Sequence, residues 1–439
     1  MVNNLVESFE NKILGEKYYK IRHASGLTVF VYPKNMSTAY ALFSTKYGAL
    51  ERTFRVEGEK EMLTVPDGVA HFLEHKLFEE ADGSDVFAKF AALGASANAF
   101  TSHEMTSYLF SATDRVTEAL EILLRFVREP HFTDENVKKE QGIIGQEIGM
   151  YDDRPASRLF YALLEGLYRE HNVRINIAGT VESIAKITPE LLYRCYHTFY
   201  RPSNMVLSVC GNVTPEEVMA VVDRVLPKEE EPMAVELSYP TEPKELASPY
   251  TELAMSVAKP LFAFGVKDLA TFASPAERYR HMLLVNLLSR CYFSKSSHYY
   301  NELYDSALVN GSLDSFYDAM NTCAYFGVMG ESDDPKTVFE KTVDLFKNIR
   351  ENMPSEAEFL RMKRIAYAMY VRNFDSTEEI ARSLTEHYFH GTELFAASDV
   401  LSSITYEEFV SFALHYFEDK EFALAVVRPT DEEKENEIC

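Results

Sequence analysis

The stretch "DGVAHFLEHKLFEE" (67–80) asks one helix to do two things. Val69, Ala70, Phe72, Leu73 and Leu77 supply an apolar face for packing. His71 and His75 fall four apart, one turn above each other, so both imidazoles project to the same side. Two imidazoles on one stripe can grip a single cation, at about 2.0–2.1 Å each for zinc. Glu74 lies beside them, better placed to hold a water that the cation polarises than to coordinate it. Asp67 is the expected N-cap, after the break at Pro66. A lone histidine on an apolar helix face is more often a satisfied core residue. Three specified residues in the spacing H-x-x-E-H are much rarer by chance and point to metal-assisted hydrolysis.

A catalytic zinc site needs a third protein ligand and one open position. "TDENVKKEQGIIGQEIGMYDD" (133–153) reads as a helix opened by Thr133, with Glu140 and Glu147 two turns apart on one face. One carboxylate can serve as ligand and the other as outer support for a ligand. Alone, the pair would be an ordinary solvated helix face; the histidine motif gives it meaning.

The chain has 439 residues, 46% of them hydrophobic, which predicts two or more packed domains. A formal charge of −24 argues against nucleic acid and anionic membrane as partners, and favours basic peptides if acidic groups line a cavity. No stretch offers the roughly 18 uncharged apolar residues of a membrane span, and the start "MVNNLVESFENKILGEKYYK" lacks the apolar segment of a secretory signal. The expected compartment is the cytoplasm. Cys195, Cys210, Cys291, Cys323 and Cys439 are scattered, as reduced thiols rather than a disulfide framework.

Strands are expected at 26–33 and 38–51, and strand-like structure over 94–113. Helices are expected at 116–130 and 133–153, and a turn and helix over 211–227. Residues 227–249, rich in Pro and Glu, read as a linker between an N-terminal domain (1–226) and a C-terminal one (250–439). The second half repeats the first faintly. "LLRFVREPHFTDENVKKEQGI" (123–143) lines up on "LFKNIRENMPSEAEFLRMKRI" (345–365), and "ITPELLYRCYHTFY" (187–200) on "ITYEEFVSFALHYF" (404–417). Two copies mean two related domains, each mixing strands with long helices: an α+β fold with helices on one face of a mostly antiparallel sheet.

These residues resemble the pitrilysin/insulinase peptidases, the inverzincins, which include mitochondrial processing peptidase. The resemblance rests on His71-Phe72-Leu73-Glu74-His75, the preceding Gly68-Val69-Ala70, the strand Asn98-Ala99-Phe100-Thr101, the Glu140/Glu147 pair, and "RPSNMVLSVCGNV" (201–213). It is strong over 20–215, weaker beyond, and close to the bacterial paired-subunit, YmfH-like branch. It implies a zinc endopeptidase with one Zn2+ per chain, held by His71, His75 and Glu147. Glu74 is then the general base and Glu140 a supporting acid. Asn98, Ala99, Phe100 and Thr101 form an edge strand to which an extended peptide adds. It also implies one metal-bearing and one inert domain, closing as a clam around a chamber that admits peptides or unfolded segments.

The repeat fits that division. Glu140 meets Met362 and Glu147 meets Met369, and no H-x-x-E-H occurs in the second half. Many relatives carry an Arg and a Tyr in the inert domain to steady the substrate carbonyl. Here the matching stretch "YYNELYDSALVNGS" (299–312) puts Tyr304 at the first position and Asn310 or Gly311 at the second. The resemblance therefore implies a homologous partner subunit that supplies Arg and Tyr. Two other readings stand beside this one: an assembly subunit that keeps the fold without the chemistry, and a structural zinc site, which would call for cysteines near the motif.

Overall fold

The computed structural model describes residues 5–226 and 233–430. The expected α+β class holds. One sheet runs in the order Leu5–Asn11, Glu16–Arg22, Thr28–Pro33, Met205–Gly211, Ala39–Thr45, Thr106–Ala112, Ser96–Thr101. A second runs Tyr250–Met255, Phe422–Pro429, Leu261–Asp268, Ala324–Glu331, Asp314–Ala319. Among the described residues each has a single parallel pair: Thr28–Pro33 with Met205–Gly211, and Tyr250–Met255 with Phe422–Pro429. Stripped of the leading hairpin, the first sheet has the second's order and the parallel pair falls at the same place. The duplication read from sequence is thus a duplication of topology.

It extends to helix caps. Thr133 accepts from Asn136 N–H (3.2 Å), and Ser355 accepts from Glu358 N–H (3.3 Å) at the equivalent helix start. Thr188 accepts from Leu191 N–H (3.3 Å), and Thr405 from Glu408 N–H (3.2 Å). Each cap satisfies one of the donors a helix N-terminus leaves open.

Helices of the first half cover one face of the first sheet, burying Phe72, Leu73, Phe90, Leu120, Leu123 and Leu192 against Val29, Val31, Ala41 and Phe43. The strands Ala39–Thr45 and Met205–Gly211 are buried along their whole length, on both faces. The second face is covered by Thr377–Phe389, a helix from the far half of the chain, where Thr385 meets Ser208 (2.8 Å) and the Tyr388 ring packs on Phe30. In return Pro155–Leu167, from the first half, packs on Leu261–Asp268 and Phe422–Pro429.

This exchange makes the compact units discontinuous. One comprises residues up to Ile148, Asn176–Tyr239 and Val371–Phe395; the other comprises Gly149–Ile175, Pro240–Tyr370 and residues from Ala396 on. A single cut between 226 and 250 misses it, because a helix that caps a distant sheet carries no local mark of its destination. The expected linker is also more ordered than its composition suggests. Residues 227–232 lie outside the described residues, but Val235–Ser238 pairs antiparallel with Thr53–Val56. Further on, the buried Lys267 ammonium donates to Glu242 (2.8 Å), Pro243 O (2.6 Å) and Glu245 O (2.9 Å). Cys195, Cys210 and Cys291 are buried and Cys323 partly so, all as free thiols; Cys439 lies outside the described residues.

The expected strands over 38–51 and 94–113 are shorter. The first stops at Thr45 and turns into a loop; the second is a hairpin, Ser96–Thr101 and Thr106–Ala112, which leaves Ser96–Thr101 at the sheet edge. The loop docks on the hairpin turn through Ala49 N–H to Ser102 O (3.0 Å) and Leu50 N–H to His103 O (2.9 Å). Glu51 holds it, accepting from Gly48 N–H (2.7 Å) and Tyr239 OH (3.0 Å). Burial, reinforced by the charge of Glu104, pushes the Glu51 carboxyl up to about 8 against the pull of these bonds. Unfolded, Glu51 releases its proton near 4.5, whereas folded it keeps it to about 8. The unfolded state binds fewer protons across that window, so stability falls as pH rises through it. Urea titrations at stepped pH are expected to show this slope in the native chain and a flatter one in Glu51→Gln; equal slopes would contradict the assignment.

Candidate metal centre

The motif helix runs Val69–Lys76. Asp67 is not its N-cap: that position is Gly68, and the Asp67 carboxylate pairs instead with Arg52 (2.7 Å). Gly68 has φ 90, the left-handed region that favours glycine, and a Cβ there would stand 2.5 Å from Ala178 O. The helix therefore starts hard against the 178–183 segment, where Ser183 Oγ donates to Asp67 O (2.9 Å). Phe72 and Leu73 bury completely, and this anchors the helix on Ser96–Thr101 and Thr106–Ala112.

His71 and His75 then stand with ring centroids 4.6 Å apart. Glu147, on the helix Asp134–Asp152, brings Oε2 to 3.3 Å from His75 Nε2 and 3.8 Å from His71 Nε2. One donor atom from each of the three lies within 4.8 Å of the others. Ligands at about 2.0–2.1 Å around a tetrahedral zinc are roughly 3.4 Å apart, so this donor set fits such an ion with little movement. Glu140, two turns before Glu147, takes the other side of the second imidazole, with Oε1 3.1 Å from His75 Nδ1. The residue pattern left open which carboxylate coordinates. The geometry puts Glu147 among the donors and Glu140 behind the ring, the arrangement that fixes tautomer and orientation of a ligating histidine.

The electrostatics fit the same division. Burial, with His75 adding to it, lowers the pKa of His71 to about 4, so it is a neutral imidazole with a free lone pair. Its Nδ1 is buried, with no hydrogen-bond partner among the described residues. Burial also opposes charge on His75, but the carboxylates of Glu140, Glu147 and Glu74 outweigh it and raise that pKa to about 10. A proton on His75 thus sits where the carboxylates demand positive charge, the place a divalent cation would take.

Glu74 is 8% exposed and stays out of the donor set. Burial raises its pKa, opposed by the Thr101 hydroxyl, which donates to Oε2 (2.6 Å). Of the expected edge-strand residues, Thr101 alone is tied to the motif by a hydrogen bond; Asn98, Ala99 and Phe100 line the free edge beside it. Sequence reasoning missed two participants. Thr101 was read as edge strand only, and Lys76, completely buried, was passed over although it stands 3.9 Å from Glu140 Oε2 and pairs with Glu79. The available signal was its place three and four residues after Leu73 and Phe72, on the apolar face of the helix. In the second unit Met362 is buried against Ser294, Met369 is half exposed, Tyr304 is half exposed on the helix His298–Asp305, and Gly311 O accepts from Tyr300 OH (2.7 Å). A cavity of about 510 Å³ in that unit, near His281 and Tyr416, shares no residue with the donor set.

Residues 64–181 match the family described as Insulinase (Peptidase family M16), and residues 186–366 match the Peptidase M16 inactive domain. The chain belongs to the insulinase family. It is 41% identical over 409 residues to the protein of Bacillus subtilis (strain 168) named uncharacterized zinc protease YmfH, a match covering 92% of this chain and 95% of that one. It is 32% identical over 152 residues to a second B. subtilis protein, uncharacterized zinc protease YmxG, covering 34% of this chain and 37% of that one. Among solved structures, an M16-like peptidase from Alicyclobacillus acidocaldarius superposes with a TM-score of 0.88 at 34% identity, covering 98% of this chain and 99% of that one. A protease from Helicobacter pylori shares the fold, with a TM-score of 0.80 at 18% identity and 94% and 100% coverage. Among the described residues no helix is long and apolar enough to cross a membrane.

Metal content after dialysis is expected to be near one zinc per chain, lost in Glu147→Gln. Glu140→Gln is expected to retain zinc but weaken it by about 10–100-fold in chelator competition. Equal affinity in Glu147→Gln and the native chain would contradict the ligand set.

Proposed function

We propose that this chain is a zinc-dependent endopeptidase subunit acting on peptides or unfolded segments. The observation that carries the reading is the division of labour around one point: His71, His75 and Glu147 converge as donors, while Glu74 stands beside them, buried and uncoordinated. Zinc held there would supply Lewis acidity, acidifying water and polarising the scissile carbonyl. Glu74 takes the water proton and returns it to the leaving amine. Thr101 keeps the Glu74 carboxylate aimed, and Glu140 keeps the His75 ring from turning. The free edge of Ser96–Thr101 offers main-chain N–H and C=O groups to an extended peptide, so side-chain identity matters little there.

The second unit carries neither an arginine at Tyr304 nor a tyrosine at Asn310 or Gly311. We assign the missing carbonyl-steadying groups to a homologous partner subunit, with this chain as the metal-bearing half of a heterodimer. The complete donor set weighs against an inert assembly subunit, and the absence of cysteine from it weighs against a closed structural site.

Glu74→Gln is expected to keep zinc and lose peptide cleavage by about 10²–10⁴-fold, read with a quenched extended peptide. Native turnover in that variant would remove Glu74 as the base. Adding a homologous chain that has the Arg/Tyr pair but lacks H-x-x-E-H is expected to raise turnover by about 10²-fold or more. If turnover is the same with and without that chain, the paired-subunit reading fails.

A further inference from the structure

Among the described residues the strand Ser96–Thr101 hydrogen-bonds to a neighbour on one side only, through the register Ser96↔Ser111 to Thr101↔Thr106. Its side chains alternate between faces. Ala97 and Ala99 pack on the core, and Thr101, on the same face, reaches Glu74. Phe100 points to the opposite face. There the helix Thr377–Phe389 lies over Ala39–Thr45 and Met205–Gly211, the middle of the sheet rather than its edge. One long side chain bridges the difference: the Arg382 guanidinium stands 4.5 Å from the Phe100 ring centroid, and among the described residues no other ring packs on Phe100. Arg382 is itself fixed, its Nε donating to Glu378 Oε1 (2.9 Å). Tyr40 stands next to that pair, its hydroxyl 3.4 Å from the same Glu378 oxygen. At the end of the helix His390 pairs with Glu104 (3.0 Å), in the turn that follows the strand. Ring and turn of the hairpin are thus both held by one helix of the distant half.

We propose that Arg382 is a positioning residue for the peptide-binding edge: by stacking on Phe100 it holds Ser96–Thr101 in the flat, extended state that an incoming peptide must pair with. This rests on the endopeptidase reading for its consequence, but not for its physical basis. An edge strand lacks the second hydrogen-bonded neighbour that rigidifies interior strands, and a cation over an aromatic face is a local constraint of useful size. Preordering the edge removes an ordering cost that each binding event would otherwise meet, so its loss falls on KM more than on kcat. Glu74, anchored at the far end of the strand through Thr101, keeps its place.

The test is Arg382→Ala in the full chain, assayed with its partner where one is required. Expected are unchanged zinc content, kcat within about twofold, and KM for an extended peptide raised about three- to tenfold. Amide deuterium exchange should quicken at 97–100 and not in Thr106–Ala112. Arg382→Lys should recover part of the KM. Phe100→Leu, which keeps the apolar contact, should reproduce the effect, and the double variant should be no worse than either single one. An unchanged KM together with unchanged exchange at 97–100 would overturn the proposal while leaving the peptidase reading intact. A native holoenzyme that cleaves no peptide would sink the peptidase reading, and the exchange at 97–100 would still decide whether Arg382 orders the strand.

Discussion

Two imidazoles and three carboxylates share one largely buried cluster: His71, His75, Glu74, Glu140 and Glu147. Carboxylates brought together out of water repel one another unless a positive charge stands between them. Lys76 meets that need at Glu140, and a proton on His75 meets it at Glu147. A divalent cation meets it better, because one ion can be liganded by both imidazoles and by Glu147 at once. The local structure holds these groups in place. The left-handed Gly68 lets the motif helix start against the 178–183 segment, the complete burial of Phe72 and Leu73 sets its rotation, and Thr101 donates to Glu74, the carboxylate that stays out of the donor set.

The same framework is built twice and charged once. Strand order, the single parallel pair, and two helix caps recur in the second unit, while Met362 and Met369 occupy the positions of Glu140 and Glu147. Replacing carboxylates by thioethers removes the repulsion and with it any demand for a cation. The second copy lacks those carboxylates, and the helix Thr377–Phe389, which comes from the far half of the chain, joins the first compact unit and covers the second face of the sheet beside the motif.

What the sequence disclosed and what it hid divide along the range of the forces involved. The motif and the carboxylate pair are set by spacing along one element, and spacing is written in the chain. His71 and His75 had to share a stripe; Glu140 and Glu147 had to share a face. The edge position of Asn98–Thr101 came from family resemblance, and the sheet order bears it out. The exchange of helices was illegible, because the apolar faces of Pro155–Leu167 and Thr377–Phe389 carry no local mark of which sheet they cover. The strands they cover gave a partial sign: "YALFS" within 39–45 and "MVLSVC" within 205–211 are too uniformly apolar for a sheet with one wet face. Asp67 does not cap the helix because its local preference loses to Arg52, which is adjacent only in the fold.

Zinc-edge X-ray absorption on the purified chain examines the metal cage directly, without reference to any substrate. The account predicts a four-coordinate ion with two imidazole nitrogens at about 2.0–2.1 Å, completed by oxygen from Glu147 and solvent, and no sulfur shell. A sulfur shell near about 2.3 Å, or an ion with no histidine scattering, would contradict it.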